Sequence, residues 1–111
     1  MNSHQLVPPI SEALQELKQG LRELYGDRLH GVYLYGSYAR GRADEDSDVD
    51  VLVVLDGPVK PGAEITRMNP IASRVSLRHD LLFSICPVSA DAFRSEPALF
   101  LQNVRREAVP V

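Results

Sequence analysis

The sequence predicts an α/β (α+β) fold: a small mixed sheet of three to five strands flanked by helices, in the order α-β-α-β-α-β-α. Three observations predict it. A stripe of apolar residues at helical spacing opens the chain, running from Ile10 to Leu24. Three short aliphatic runs follow, at residues 31–35, 48–55 and 80–86. Stretches of helical patterning separate those runs, and alternating strands and helices pack as α/β layers. With 111 residues, 1–111 reads as a single domain.

The elements follow in order. Pro8 and Pro9 precede Ser11, which is placed to cap a helix, with Glu12 in its first turn. Ile10, Leu14, Leu17, Leu21 and Leu24 recur every three or four residues, which is one face of an amphipathic helix. Gly26 ends it, and Gly20 is the one weak position inside it. Residues 31–35 form a strand that stops at Gly36-Ser37, and residues 37–41 have room for one or two helical turns. Residues 48–55 are the strongest strand signal. The latter half is apolar on both faces, so the strand should be central and buried.

Asp56-Gly57-Pro58 and Pro61-Gly62 break the chain into a loop. Residues 64–77 are helical, with Ile65, Met68, Ala72 and Val75 expected inward, and Ile71 less firmly so. Pro70 should start that helix or kink it. Residues 80–86 make a third strand closed by Pro87. Ser89 starts a further helix, residues 97–104 carry more helical pattern, and residues 108–111 can add an edge strand.

Composition narrows the function. There are 15 Asp and Glu against 12 Lys and Arg, a net charge of −3, so a general nucleic-acid binder is not expected. Residues 44–50 alone hold five carboxylates, and without them the chain would be slightly positive. A single cysteine, Cys86, permits no internal disulfide and suits a reducing compartment. Residues 1–10 lack the basic and apolar regions of a signal peptide, and no apolar run approaches a membrane span. A cytoplasmic protein without membrane contact is the expectation.

The chemistry concentrates in two places. Residues two apart on a strand share a face, so Asp48 and Asp50 lie side by side while Val49, Val51, Val53 and Leu55 face the core. Paired carboxylates repel unless a cation lies between them, and hard oxygen ligands suit Mg²⁺ or Mn²⁺. Asp80 would join the pair if its strand is the neighbour in register. Upstream, the Gly36-Ser37 turn lets backbone and hydroxyl approach an anion, with Arg40 and Arg42 close by. A phosphate-binding turn followed by a metal-binding pair points to a nucleoside triphosphate.

Plainer readings stand beside these. Gly36-Ser37 can be an ordinary turn, and Asp44, Glu45 and Asp46 a solvated loop. Asp80 can pair with Arg78, and Arg40 and Arg42 can be surface charges. Cys86 reads as a small buried hydrophobe and Tyr33 and Tyr35 as sheet packing, while a nucleotide contact from Tyr38 stays open. Two other motifs fail. Gly36 and Gly41 have Walker A spacing, but Arg42-Ala43 stands where Lys-Ser/Thr is required. The acids from Asp44 onward resemble a calcium loop, but Val49 and Leu55 occupy its glycine and glutamate positions.

Leu34-Tyr35-Gly36-Ser37, three residues, Gly41, five residues, then Ser47-Asp48-Val49-Asp50-Val51-Leu52-Val53-Val54 resembles the signature of the DNA polymerase β-like nucleotidyltransferase superfamily. The small size is most similar to its minimal nucleotidyltransferase (MNT) branch, antitoxin partners of HEPN-domain proteins. The resemblance implies that Gly36 and Ser37 bind the β and γ phosphates of ATP, with Arg40 nearby, and that Asp48 and Asp50 ligate two Mg²⁺ ions. It makes Asp80 a third acid, ligating one metal and helping to deprotonate the attacking hydroxyl. It implies attack of a hydroxyl on the α-phosphorus with loss of pyrophosphate, the acceptor being a tyrosine of a HEPN partner that becomes AMP-modified. Larger relatives carry a second, acceptor-binding domain that has no counterpart in these residues. A partner chain, or a second copy in a homo-oligomer, would supply that surface. Two alternatives remain: a non-catalytic antitoxin that masks its partner, and transfer to a small-molecule or nucleic-acid hydroxyl.

Overall fold

The computed structural model describes residues 8–44, 46–95 and 97–111. Helix α1 spans Pro8–Tyr25, and a single 3-10 turn at Gly26–Arg28 leads into β1, Leu29–Tyr35. The one-turn helix α2, Gly36–Ala39, precedes β2, Val49–Leu55. The long helix α3 covers Pro61–His79 and is followed by β3, Phe83–Ser89. Helices α4, Ala90–Ser95, and α5, Leu99–Glu107, and the two-residue strand β4, Val109–Pro110, complete the fold.

The sheet is mixed, in the order β3-β2-β1-β4. Strand β2 is central as expected, antiparallel to β1 and parallel to β3, and β4 pairs antiparallel with β1. Its side chains alternate between two cores. Val49, Val51, Val53 and Leu55 pack with Leu14, Leu17 and Leu21 of α1 and Met68 of α3. Leu52 and Val54 pack on the other face with Val104 of α5 and Ala90 of α4. That second face is the one that carries Asp50, so the acid lies where the apolar cover of α4 and α5 gives way to solvent.

Several boundaries depart from the sequence reading, each for a physical reason. Helix α1 begins at Pro8, so Ser11 lies inside it instead of capping it. Proline's fixed φ suits a first helical turn. Gly20 is buried in that helix because a Cβ there would come within 2.6 Å of Ile71 Cγ2, so the glycine lets α1 and α3 pack closely. Strand β1 starts at Leu29, two residues early. Helix α3 starts at Pro61, not near Pro70. It passes through this exposed position, with Glu64, Met68, Ala72 and Val75 inward and Ile65 exposed. Glu64 is buried because the Tyr25 hydroxyl donates to its carboxylate at 2.8 Å.

Strand β3 begins at Phe83, not at residue 80, because α3 runs on to His79 and Asp80 caps it. Pro87 lies within β3 instead of closing it. An edge strand tolerates the missing N–H that a central strand would not. The two late expectations hold. The Ser89 hydroxyl accepts from the Ala92 N–H at 3.1 Å and caps α4, and residues 109 and 110 extend the sheet. No helix among the described residues is long and apolar enough to cross a membrane. The signal-peptide reading falls mainly on residues 1–7, outside the described residues.

Candidate active site

The site grows from the end of β1. Tyr35 is extended, and Gly36 turns the chain with φ +74°, a conformation that strains other residues. Position 36 is also crowded, because a Cβ there would collide with the Asp50 carboxylate. Glycine's role at this point is thus to admit a carboxylate of the same chain. The turn closes through hydrogen bonds from the Arg40 N–H to the Gly36 carbonyl at 3.1 Å and from the Arg42 N–H to the Ser37 carbonyl at 2.9 Å.

The acidic segment then divides by role. Asp44 organises the loop, accepting from the Asp46 N–H at 2.9 Å and from the Ser47 hydroxyl at 3.2 Å. Asp44 and Asp46 are exposed, as a solvated loop should be, and Glu45 is outside the described residues. Asp48 is exposed at the mouth of β2, and Asp50 is half-buried one step inside it. The register places Asp50 between Tyr35 of β1 and Ser84 of β3. Burial, then the neighbouring charge of Asp48, pushes the Asp50 carboxyl above its ordinary value, with Arg40 opposing. Burial, then Cys86 and Asp50, pushes the Tyr35 phenol up to about 12.

Asp80 reaches the region by another route. It is the one non-glycine residue with positive φ among those described, closing α3 in the left-handed conformation with φ 53°. The two residues after it are anchored. The Leu81 N–H donates to the Ser76 carbonyl at 3.2 Å, and the Leu82 carbonyl accepts from the Val49 N–H at 2.8 Å. A cavity of about 270 Å³ is lined by Tyr38, Asp46, Ser47, Asp48, Asp80 and the two leucines that follow. Asp80 therefore shares a cavity with Asp48. The strand it leads into is the neighbour of β2, but Asp80 lies three residues before β3, and the residue in register with Asp50 is Ser84. Among the described residues, no three His, Cys, Asp or Glu side chains are grouped closely enough to hold one metal ion.

The remaining candidates separate. Arg40 is exposed and pairs with Glu107 of α5 at 3.2 Å, and Arg42 is exposed. The pairing of Asp80 with Arg78 is not what forms. Arg78 and His79 instead turn to Glu16 of α1, at 3.5 and 3.0 Å. Cys86 is half-buried against the second core, and burial raises its thiol. A larger hollow, about 630 Å³, lies at the far ends of β2 and β3. It is lined by prolines and small residues, with Asp91 its one carboxylate, and so offers little chemistry. Ser84, Tyr35 beside Asp50, and Glu107 beside Arg40 escaped the sequence reading. Strand register and the docking of α5 join residues far apart in the chain, and no local pattern encodes them.

Known proteins can now be set beside this geometry. Residues 14–86 match the family model described as nucleotidyltransferase domain. MJ0141 of Methanocaldococcus jannaschii, provisionally named a protein adenylyltransferase, is 43% identical over 75 residues, covering 68% of this chain and 75% of its own. The protein adenylyltransferase MntA of Thermococcus cleftensis is 54% identical over 44 residues, covering 40% of this chain and 42% of its own. Among solved structures, a toxin–antitoxin with AMP-PNP superposes with a TM-score of 0.63 at 20% identity, covering 94% of this chain and 72% of that one. That last likeness concerns the fold, and it spans nearly every element described above. The family match runs from the first helix into the third strand and takes in both the Gly-Ser turn and the paired aspartates, so the chain belongs to the nucleotidyltransferase domain family and is a nucleotidyltransferase.

Proposed function

We propose that this chain transfers AMP from ATP to a hydroxyl of a partner protein, a tyrosine of a HEPN toxin, and thereby acts as an antitoxin. The observation that carries the reading is the Asp48–Asp50 pair, one acid exposed and one half-buried, with the Asp50 carboxylate set directly against Gly36 of the Gly36-Ser37 turn. Relatives support the acceptor class. MJ0141 and MntA are named as protein adenylyltransferases, and two structural neighbours are toxin–antitoxin proteins, one with AMP-PNP and one a mutant of MntA-HpeT. A single cysteine suits a reducing, cytoplasmic setting.

The donor set fits Mg²⁺. This ion is commonly held by one or two carboxylates together with substrate phosphates, so two aspartates suffice on the protein side. Bound there, Mg²⁺ would screen the phosphate charge and polarise the phosphoryl oxygens. The chain's own residues do the rest. Gly36 and Ser37 seat the triphosphate, with Arg40 beside them, and Asp48 and Asp50 hold the ion against it. Asp80, which lines the same cavity as Asp48, takes the proton of the attacking hydroxyl. The new bond joins that oxygen to the α-phosphorus, the bond to the β-phosphate breaks, and pyrophosphate leaves.

The test is label transfer from α-labelled ATP, with Mg²⁺, to the partner that co-purifies with the chain. The expected result is label on a partner tyrosine, lost with Asp48→Asn and Asp50→Asn together. If the doubly substituted chain still neutralises the partner, masking replaces transfer as the function. If the isolated chain labels a small molecule or nucleic acid instead, the acceptor assignment falls.

A further inference from the structure

The acceptor chemistry proposed above is a tyrosine hydroxyl, and the chain itself holds four, on Tyr25, Tyr33, Tyr35 and Tyr38. Three are engaged elsewhere. The Tyr25 hydroxyl donates to buried Glu64 at 2.8 Å. Tyr33 and Tyr35 pack against the second core, one stacked on Phe93 and the other set edge-on to Phe100. Tyr38 differs. It follows Ser37 in the one-turn helix α2, and its half-buried ring packs against the first core. Tyr38 also lines the cavity that Asp48 and Asp80 share, and its hydroxyl has no hydrogen-bond partner among the described residues. The cavity wall thus already carries a hydroxyl of the acceptor class, together with the acid that takes the acceptor's proton. A well-oriented group within one molecule reacts as though present at about 10⁵ M or more.

We propose that Tyr38 is an internal acceptor: without its partner, the chain transfers AMP from ATP to its own Tyr38. This rests on the transfer reading given above and adds a self-modification site to it. The Tyr38 oxygen bonds to the α-phosphorus, the bond from that phosphorus to the β-phosphate breaks, pyrophosphate leaves, and Asp80 takes the phenol proton. A partner tyrosine that enters the cavity competes with Tyr38 for the same phosphorus. Once attached, the AMP fills the cavity and holds other acceptors out, so the modified chain is a resting form.

The full chain, purified without its partner, is incubated with α-labelled ATP and Mg²⁺ over a range of protein concentrations, and its peptides are mapped by mass spectrometry. Label should appear on the peptide that carries Tyr38, at a rate per chain independent of protein concentration. Tyr38→Phe keeps the ring packing and should lose the label, and its melting temperature reports on folding. Asp80→Asn should slow labelling by about 100-fold or more, the typical contribution of a positioned base. A further readout does not depend on turnover: calorimetry should show weaker AMP-PNP binding by the modified chain than by the unmodified one. The proposal is overturned if label maps to another residue, if it persists in Tyr38→Phe, or if its rate per chain rises with concentration. Unchanged AMP-PNP binding by the modified chain overturns it too. Label on the partner but never on the chain overturns it and leaves the parent reading standing. Label on neither overturns both.

Discussion

At the scale of single residues, Gly36 shows how turn and site are built together. Its positive φ and its contact with the Asp50 carboxylate are two constraints on one position. Alanine there must adopt a left-handed conformation, costing about 1–2 kcal/mol, and must also displace the carboxylate. Gly36→Ala should therefore lower transfer by about 100-fold, since misplacing a reacting group by about 1 Å has an effect of that size. Near-wild-type turnover would show that Asp50 does not need its present position. The Asp48–Asp50 pair was legible in the sequence because strand parity puts alternate residues on one face, and parity is local. Ser84 was not, because its neighbour Asp50 is 34 residues away and only strand pairing selects it.

At the scale of elements, α3 carries two opposed features. Pro70 interrupts its hydrogen bonding at an exposed position, and Glu64 anchors its first turn to α1 through Tyr25. Pro70→Ala restores a backbone donor, partly offset by a freer unfolded chain, so a net gain of about 1–2 kcal/mol in urea unfolding is expected. A loss would mean that neighbours are shaped around the proline. Tyr25→Phe leaves the buried Glu64 carboxylate without its donor and should destabilise by about 1–3 kcal/mol. Burial and the Glu64 hydrogen bond push the Tyr25 phenol up to about 12, above the value near 10 of an unfolded tyrosine. The stability linked to this shift is full below pH of about 10 and is lost as pH rises towards 12. Urea midpoints measured across that window should fall less steeply for Tyr25→Phe than for the wild type. The residual slope comes from Tyr35, which is raised to about the same value, and from the Cys86 thiol, which burial also raises.

At the scale of the whole molecule, the sheet separates two cores of unequal depth. The α1/α3 side contains Leu14, Leu17, Leu21 and Met68, all almost fully buried, while the α4/α5 side is smaller and leaves Leu99 and Phe100 exposed. Leu17→Ala should cost about 2–5 kcal/mol in global unfolding. Val104→Ala removes about two buried methyl equivalents, or about 1.5 kcal/mol at about 0.8 each. Its effect should be local. Hydrogen exchange should quicken in α5 while α1 keeps its protection. Uniform loss of protection would show that the two layers unfold as one. Because Glu107 of α5 pairs with Arg40, loosening α5 also frees a charge beside the Gly36-Ser37 turn.

Chain-local physics determined much of this protein without any structure. The 3.6-residue stripe of α1, the unbroken aliphatic run of β2, the Gly-Ser turn and the Asp-x-Asp parity all depend on near neighbours, and their spacing is written in the sequence. Tertiary structure decided what depends on distant partners. Glu64 is buried because Tyr25 satisfies it, α3 survives Pro70 because packing outweighs a lost hydrogen bond, and Pro87 is tolerated because β3 is an edge. The same holds at the centre of the chemistry. Strand register, set by the burial of β2 between β1 and β3, brings a serine to Asp50, while the end of α3 brings Asp80 into the cavity that Asp48 lines. A local pattern can supply the reactive groups, but only the packed sheet sets the distances between them.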